Sequence, residues 1–243
     1  MNYTGYSAYD DETFFEKYQQ RRGKKDAPNE AIEQPIFDNL LGDVSGKTIL
    51  DLGCGDGAYG VELLERGASF YYGVEGSQNM AGLAEKNLTH HNAEIKIADI
   101  KDIEIHKKYD IVISRLVLHY LEDLKILFQK INSCLNHQGI FLFSVEHPVI
   151  TSNYESYHKN DKRSNWIVDN YFDSGERTNN WHGKPVVKYH RTFEEYWKII
   201  KNTQFEVVEM RESKPIPSNF ESKEEYLRRK RIPLFLFFKL KGN

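Results

Sequence analysis

The segment "ILDLGCGDGAYG", residues 49–60, constrains the fold of this chain more than any other. An apolar run ends on an acid, Asp51, and glycines follow at 53, 55, 57 and 60. A glycine-rich turn after a strand lets a ligand lie against the backbone, because no Cβ stands in the way. Such turns often hold phosphates on backbone N–H groups at a helix N-terminus. Here Asp51 and Asp56 would repel a phosphate. The turn asks for a ligand that comes close to the backbone yet presents no phosphate to these acids.

The surrounding pattern sets the turn in an α/β architecture. "KTILDL" (47–52), "FYYGVE" (70–75), "EIKIAD" (94–99), "YDIVIS" (109–114) and "GIFLFSV" (139–145) read as strands. Helical spacing appears at 58–66, after Ser77 through Met80, Leu83, Ala84 and Leu88, and across Leu124, Leu127, Phe128, Ile131 and Leu135. Continuous apolar strands alternating with helices predict a doubly wound, mostly parallel sheet with helices on both faces. Sites in such sheets form at the carboxyl ends of the strands. Two further strands are expected at 205–210 and 233–240, with a charged helix near 221–230 between them.

Before the first strand, residues 10–20 predict a short helix, and Asn29 can cap a second that carries Ile32, Ile36, Phe37, Leu40 and Leu41, with Pro35 inside it. After the fifth strand the periodicity fails. Residues 146–188 are polar and aromatic, too long for a plain connection, and read as a lid with some structure of its own. Order returns at Thr192, which forms a capping box with Glu195.

The net charge of −3 gives no basic field for general nucleic-acid binding. The two cysteines, Cys54 and Cys134, do not suggest a disulfide framework or a metal site. No basic-then-apolar leader opens the chain, and the longest apolar run, 233–238, is too short to span a bilayer. The expectation is a soluble cytoplasmic protein, monomer or homodimer, with no metal, membrane or nucleic-acid partner.

Gly53, Gly55 and Ala58 satisfy a loose dinucleotide fingerprint, and Glu75 ends the second strand where an acid binds ribose hydroxyls. That acid suits any adenosine cofactor. The acids in the turn discriminate against a pyrophosphate and in favour of S-adenosylmethionine, which carries a sulfonium and an ammonium instead.

At this point the sequence resembles the class I S-adenosylmethionine-dependent methyltransferases, and its later segments "VDNYF", "NNW" and "YHRT" look like a bacterial branch of that family acting on small molecules. "LDLGCGDG" is similar to their first motif, "GVEGS" to the acidic end of the second strand, "IADI" to the adenine-flanking position, and "YDIVISRLVLHYLED" to the segment after the fourth strand. The resemblance covers nearly the whole core. It implies a Rossmann-like sheet of seven strands with the last antiparallel. It implies that Asp51, Gly53, Cys54 and Gly55 border the methionine part of the cofactor, and that Glu75, with Gly76 and Ser77 nearby, holds the ribose. Asp99 and Ile100 would flank the adenine, Ser114 or Arg115 would close the pocket, and Tyr18 and Arg21 would cover the methionine end. "HY" at 119–120 departs from the paired histidines common in relatives, and "NTQF" at 202–205 lacks a common glycine.

Methyl transfer from a sulfonium is an in-line displacement that needs a base only if the acceptor must lose a proton. His119, His147 and His190 are the candidate bases. Tyr120, Trp166, Tyr171 and Trp181 are candidate walls of an acceptor pocket, each equally able to be lid packing. The basic run 228–231 is most simply a solvated helix face. The expected organisation is one domain over 1–243: an N-terminal helical cover (1–45), a cofactor-binding core (46–145), a lid and acceptor insert (146–188), and a C-terminal helix with the last two strands (189–243). The expected activity is methyl transfer to a small-molecule acceptor. The competing readings are a non-catalytic protein binding S-adenosylmethionine or S-adenosylhomocysteine, an RNA methyltransferase, and a nicotinamide dehydrogenase, the last opposed by Asp51 and Asp56.

Overall fold

The computed structural model describes residues 3–21, 27–155, 158–159, 162–181 and 183–242. In chain order, β1 (Tyr3–Thr4) leads through a 3-10 turn (Gly5–Asp10) to α1 (Glu12–Arg21), and a π-helical turn (Asn29–Glu33) runs into α2 (Gln34–Leu41). The core follows: β2 (Thr48–Leu52), α3 (Ala58–Glu65), β3 (Phe70–Glu75), α4 (Gln78–Leu88), β4 (Ala93–Ile97), β5 (Tyr109–Arg115), α5 (Lys125–Cys134) and β6 (Leu135–Glu146). Then come α6 (Pro148–Thr151), the short strands β7 (His158–Lys159) and β8 (Lys162–Arg163), β9 (Gly175–Trp181), β10 (Lys184–His190) and α7 (Phe193–Asn202). The last elements are β11 (Glu206–Glu212), α8 (Lys223–Arg229) and β12 (Phe235–Lys241).

Seven strands form one sheet in the order β11-β12-β6-β5-β2-β3-β4. Strands β2 to β6 run parallel, and β12 is antiparallel to both β6 and β11. The order reverses at β2, where β3 leaves on one side and β5 on the other. A crevice therefore opens at the carboxyl ends of β2 and β5. Leu50, Leu52, Val112 and Phe143 belong to one apolar layer, and Ile49, Ile111, Ile113 and Leu142 to the other. That alternation is the period-2 pattern of strands buried on both faces.

Local chemistry explains most boundaries. Ser77 Oγ accepts the Met80 N–H and starts α4, and Thr192 caps α7 in a box with Glu195. Pro35, which has no N–H to donate, falls where the helix changes from π to α spacing, just after Gln34 bonds the Asn29 carbonyl.

The insert is more regular than its composition suggests. Strand β10 pairs antiparallel with β9 over seven residues, and parallel with β1 through Tyr3↔Val186 and Thr4↔Val187. The insert and the extreme N-terminal region thus share a three-stranded sheet. Only Pro185, Val186, Val187 and Tyr189 of β10 are apolar or aromatic, so neither a period of two nor a continuous run marks it. Against it packs an aromatic group: Tyr9, Phe14 and Tyr18 meet Trp181 edge-to-face at centroid distances of 5.9, 5.3 and 6.2 Å.

Candidate active site

The glycine turn is held open by its own backbone and by the acids around it. Gly53 and Cys54 donate their N–H groups to the Val74 carbonyl, which fastens the turn to β3. Gly53 has φ +85°, and a Cβ there would fall 2.3 Å from Val117, so glycine is required twice over. Glu75 accepts the N–H of Gly55 at 2.9 Å with one carboxylate oxygen and that of Ser77 at 2.8 Å with the other. The acid thus joins the first turn to the start of α4. Burial raises the Glu75 pKa, against those backbone N–H bonds.

Asp51 is the informative residue. It is 3% exposed, its Oδ2 accepts the Tyr71 hydroxyl at 2.7 Å, and its Oδ1 has no partner. Burial pushes its pKa up to about 7, with Tyr71 and Arg115 pulling the other way. A buried carboxylate oxygen without a donor is costly. A ligand ammonium would supply the missing donor and the missing charge. The orphaned atom therefore fits a cationic, phosphate-free ligand.

Other sequence candidates occupy defined positions. Cys54 is buried, and a Cβ on Gly73 would lie 2.8 Å from its Sγ, so its side chain faces the sheet. Ser114 Oγ donates to the Leu52 carbonyl at 2.9 Å and staples β5 to β2. Arg115 is committed to Glu33, at 2.5 Å from Nη2, and stacks on Tyr59 with its guanidinium carbon 4.1 Å from the ring centre. Glu33 also accepts the Ser144 hydroxyl at 2.7 Å. Asp99 caps the turn Ile100–Asp102, and Ile100 is buried in the core. Tyr18 belongs to the aromatic group around Trp181, and the side chain of Arg21 lies outside the described residues.

The N-terminal region reaches into this half in a way the sequence did not announce. Tyr6 packs on Gly76, whose Cβ would stand 2.3 Å from the ring, and burial, with the nearby Asp99 carboxylate, raises the pKa of its hydroxyl. Asp10 accepts the Ser77 hydroxyl at 2.7 Å and the Asn79 N–H at 3.2 Å, at the N-terminus of α4.

The three histidines share one protonation pattern. The Glu146 N–H points at His119 Nδ1 at 3.3 Å, and that of Val149 at His147 Nδ1 at 3.2 Å. His147 Nε2 meets Glu212 at 2.9 Å. His190 Nε2 meets the Tyr171 carbonyl at 2.8 Å, and its Nδ1 meets the Thr151 hydroxyl at 2.7 Å. A backbone N–H can only donate and a carbonyl can only accept, so all three rings carry their proton on Nε2, with Nδ1 already in use. Burial lowers all three pKa values, that of His119 to about 3.

Of the four expected wall residues, Tyr120 and Trp181 come together. Their rings lie 5.4 and 5.3 Å from Lys188 Nζ, and Tyr154 is a third ring at 5.6 Å. Lys188 is buried and donates to Glu146 at 2.5 Å, and the other Glu146 oxygen accepts the Tyr154 hydroxyl at 2.6 Å. Tyr171 instead takes the Phe193 N–H on its hydroxyl beside His190, and Trp166 lies under Arg231. Lys188, Glu146 and Tyr154 were not legible from the sequence, since no motif marks them. The cluster borders the cofactor half, because Val117, three residues before Tyr120, is the side chain that covers Gly53.

Comparison with known proteins agrees with this geometry. A family model described as a methyltransferase domain matches residues 43–195. A solved structure from Listeria monocytogenes, assigned as an S-adenosylmethionine-dependent methyltransferase, superposes with a TM-score of 0.78 at 31% identity, over 87% of this chain and 96% of that one. An S-adenosylmethionine-dependent methyltransferase from Mesorhizobium loti gives 0.78 at 29% identity, over 86% and 97%. An uncharacterized protein of Haemophilus influenzae is 33% identical over 85% of both chains. The chain belongs to the class I S-adenosylmethionine-dependent methyltransferases. The family's cofactor is S-adenosylmethionine, and the phosphate-free site with its orphaned Asp51 oxygen fits it. Among the described residues no group of histidine, cysteine and acidic side chains could hold a metal, and no helix is long and apolar enough to cross a membrane.

Proposed function

We propose that the protein transfers a methyl group from S-adenosylmethionine to a small-molecule acceptor. The observation that carries this reading is the unpartnered Oδ1 of Asp51 beside a glycine turn with no cation of its own to meet it. When bound, the cofactor supplies a methyl group activated on a sulfonium. Asp51 receives the methionyl ammonium, and the backbone at Gly53 and Gly55 borders the methionine chain. Glu75, fixed by two backbone N–H groups, has lone pairs left for the ribose hydroxyls. Asp99 and Ile100 border the adenine, and Tyr6, lying on Gly76, supplies the aromatic side chain that Gly76 lacks. Ser114 and Arg115 act behind the site, tying β5 to β2 and to Glu33.

The sheet formed by β1, β9 and β10 is the lid that dries the reaction space and places the acceptor in line. With every Nδ1 in use, the histidines position rather than deprotonate. His119 can donate from Nε2 to an acceptor. Calorimetry with S-adenosylhomocysteine and NAD tests the cofactor assignment: binding of the first and not the second is expected. Tight binding of NAD alone would end it.

A further inference from the structure

We infer that the methyl acceptor is a carboxylate, held by Lys188 and Arg191 in a box walled by Tyr120, Tyr154 and Trp181. The inference rests on the methyl-transfer function proposed above and adds the acceptor's chemical class.

Four observations converge on it. Lys188 is a buried ammonium with three donors, of which one goes to Glu146 while aromatic rings surround Nζ on other sides. An ion pair this deep costs desolvation that packing alone would not ask for. Arg191, three residues on, is 93% buried; its Nη2 donates to the carbonyls of Leu121 and Glu122, just after Tyr120, the Tyr196 hydroxyl lies near the guanidinium, and Nη1 makes no hydrogen bond. A buried guanidinium nitrogen without an acceptor is an open place for an anionic oxygen. Around His119 stand two cations, Lys188 and Arg191, against one carboxylate, Glu146. An excess of positive charge in a dry site favours an anion and opposes an amine, which would become cationic as it was methylated. Finally, no histidine in this region offers a ring lone pair to take a proton. A phenol or alcohol must lose its proton to react, whereas a carboxylate has lost it already.

The step balances without a base. A carboxylate oxygen attacks the methyl carbon, the new C–O bond forms, and the C–S bond breaks with its electron pair left on sulfur. The acceptor's negative charge and the sulfonium's positive charge cancel, giving a methyl ester and a neutral thioether. No proton moves. Glu146, held ionised with a pKa of about 2 where Lys188 overcomes the burial that would raise it, stays a structural anion and does not compete as acceptor, since Lys188 and Tyr154 occupy its oxygens.

The test incubates the full-length protein with methyl-tritiated S-adenosylmethionine and a deproteinised metabolite extract of bacterial cells. Methyl esters release volatile tritiated methanol in mild alkali; methylated amines, phenols and thiols keep their label. Alkali-volatile label is expected. Alkali-stable label would overturn the carboxylate inference and leave the methyltransferase function standing. No transfer at all by a protein that binds S-adenosylhomocysteine in calorimetry would overturn both. Lys188→Met should cut the ester-forming rate about 30-fold or more, the scale of a lost charged hydrogen bond. Its affinity for S-adenosylhomocysteine should stay within about twofold. Because Lys188→Met leaves Glu146 without its cation, Lys188→Met/Glu146→Gln, which removes both charges, is measured beside it. An ester-forming rate close to that of the unaltered protein in the folded double variant would show that Lys188 serves Glu146 alone.

Discussion

The two halves of the crevice are built by different means. The cofactor half is local: Asp51, Gly53, Gly55, Glu75 and Ser77 lie within 27 positions, at the ends of two adjacent strands. Glu75 is held there through backbone atoms, by Gly55 and Ser77, and Asp51 keeps one oxygen without a partner. The acceptor half is assembled from distance. Tyr120, Glu146, Tyr154 and Lys188 come from four separate stretches and meet side chain to side chain. A local, backbone-based site depends on a turn. A dispersed, side-chain-based site can be changed without disturbing that turn. The comparison teaches that cofactor choice and acceptor choice sit on separable physical supports.

The largest expected effect tests the support common to both halves. Glu33→Ala leaves Arg115, whose side chain is 18% exposed, without its carboxylate between β5 and α2, and should cost about 3 kcal/mol of stability in urea unfolding. A loss below about 1 kcal/mol would show that water reaches this pair. Next, Glu75→Ala should weaken S-adenosylhomocysteine binding by roughly 1.5–3 kcal/mol in calorimetry. Unchanged affinity in a folded variant would remove Glu75 from the ribose site. Tyr6→Ala should weaken the same binding by about 0.5–1.5 kcal/mol, the range of one aromatic contact. Tighter binding instead would mean that Tyr6 occupies the cofactor's space and must leave it. Trp181→Ala, on the acceptor side, should leave that affinity alone, and a drop equal to that of Tyr6→Ala would erase the distinction between the halves.

A further effect is one of pH. Asp51 has a folded pKa of about 7, above the ~4 of an unfolded aspartate. The stability linked to its protonation is therefore full below ~4 and lost as pH rises through about 7. The melting temperature of the ligand-free protein, taken relative to Asp51→Asn, should fall over that window. Saturation with S-adenosylhomocysteine should flatten the difference, because its ammonium pairs with the ionised form. A flat difference without ligand would place the Asp51 pKa outside the window.

The same contrast governs what the sequence could tell. All seven strands of the main sheet were legible within a few residues, because β2, β3, β5, β6 and β12 carry apolar runs and β4 and β11 mix apolar with charged residues between turn signals. The glycine turn and Glu75 were legible because the chemistry sits at fixed short spacings. Strand β10 was not, since it reads as mixed polar sequence and becomes a strand only by pairing with β9 and β1. Lys188 gives no local sign of burial, and its partner Glu146 lies 42 residues earlier. Glu33 looked like an ordinary helix residue, and only the meeting with Arg115, 82 residues on, makes it a buried anchor. Tyr6 was silent for the same reason: its meaning depends on the missing side chain of Gly76.

The parallel pairing of Tyr3–Thr4 with Val186–Val187 has a consequence for how the molecule is made. Tyr3 leaves the ribosome more than 180 residues before the strand that receives it. The first segment must therefore wait, unpaired, while β2 to β6 assemble. During that interval the three-stranded sheet of β1, β9 and β10 does not yet exist, while Tyr6 and Asp10 already have their partners at Gly76 and Ser77. A protein that meets its cofactor during synthesis can close over it as the last strands arrive, so the order of assembly can itself load the site.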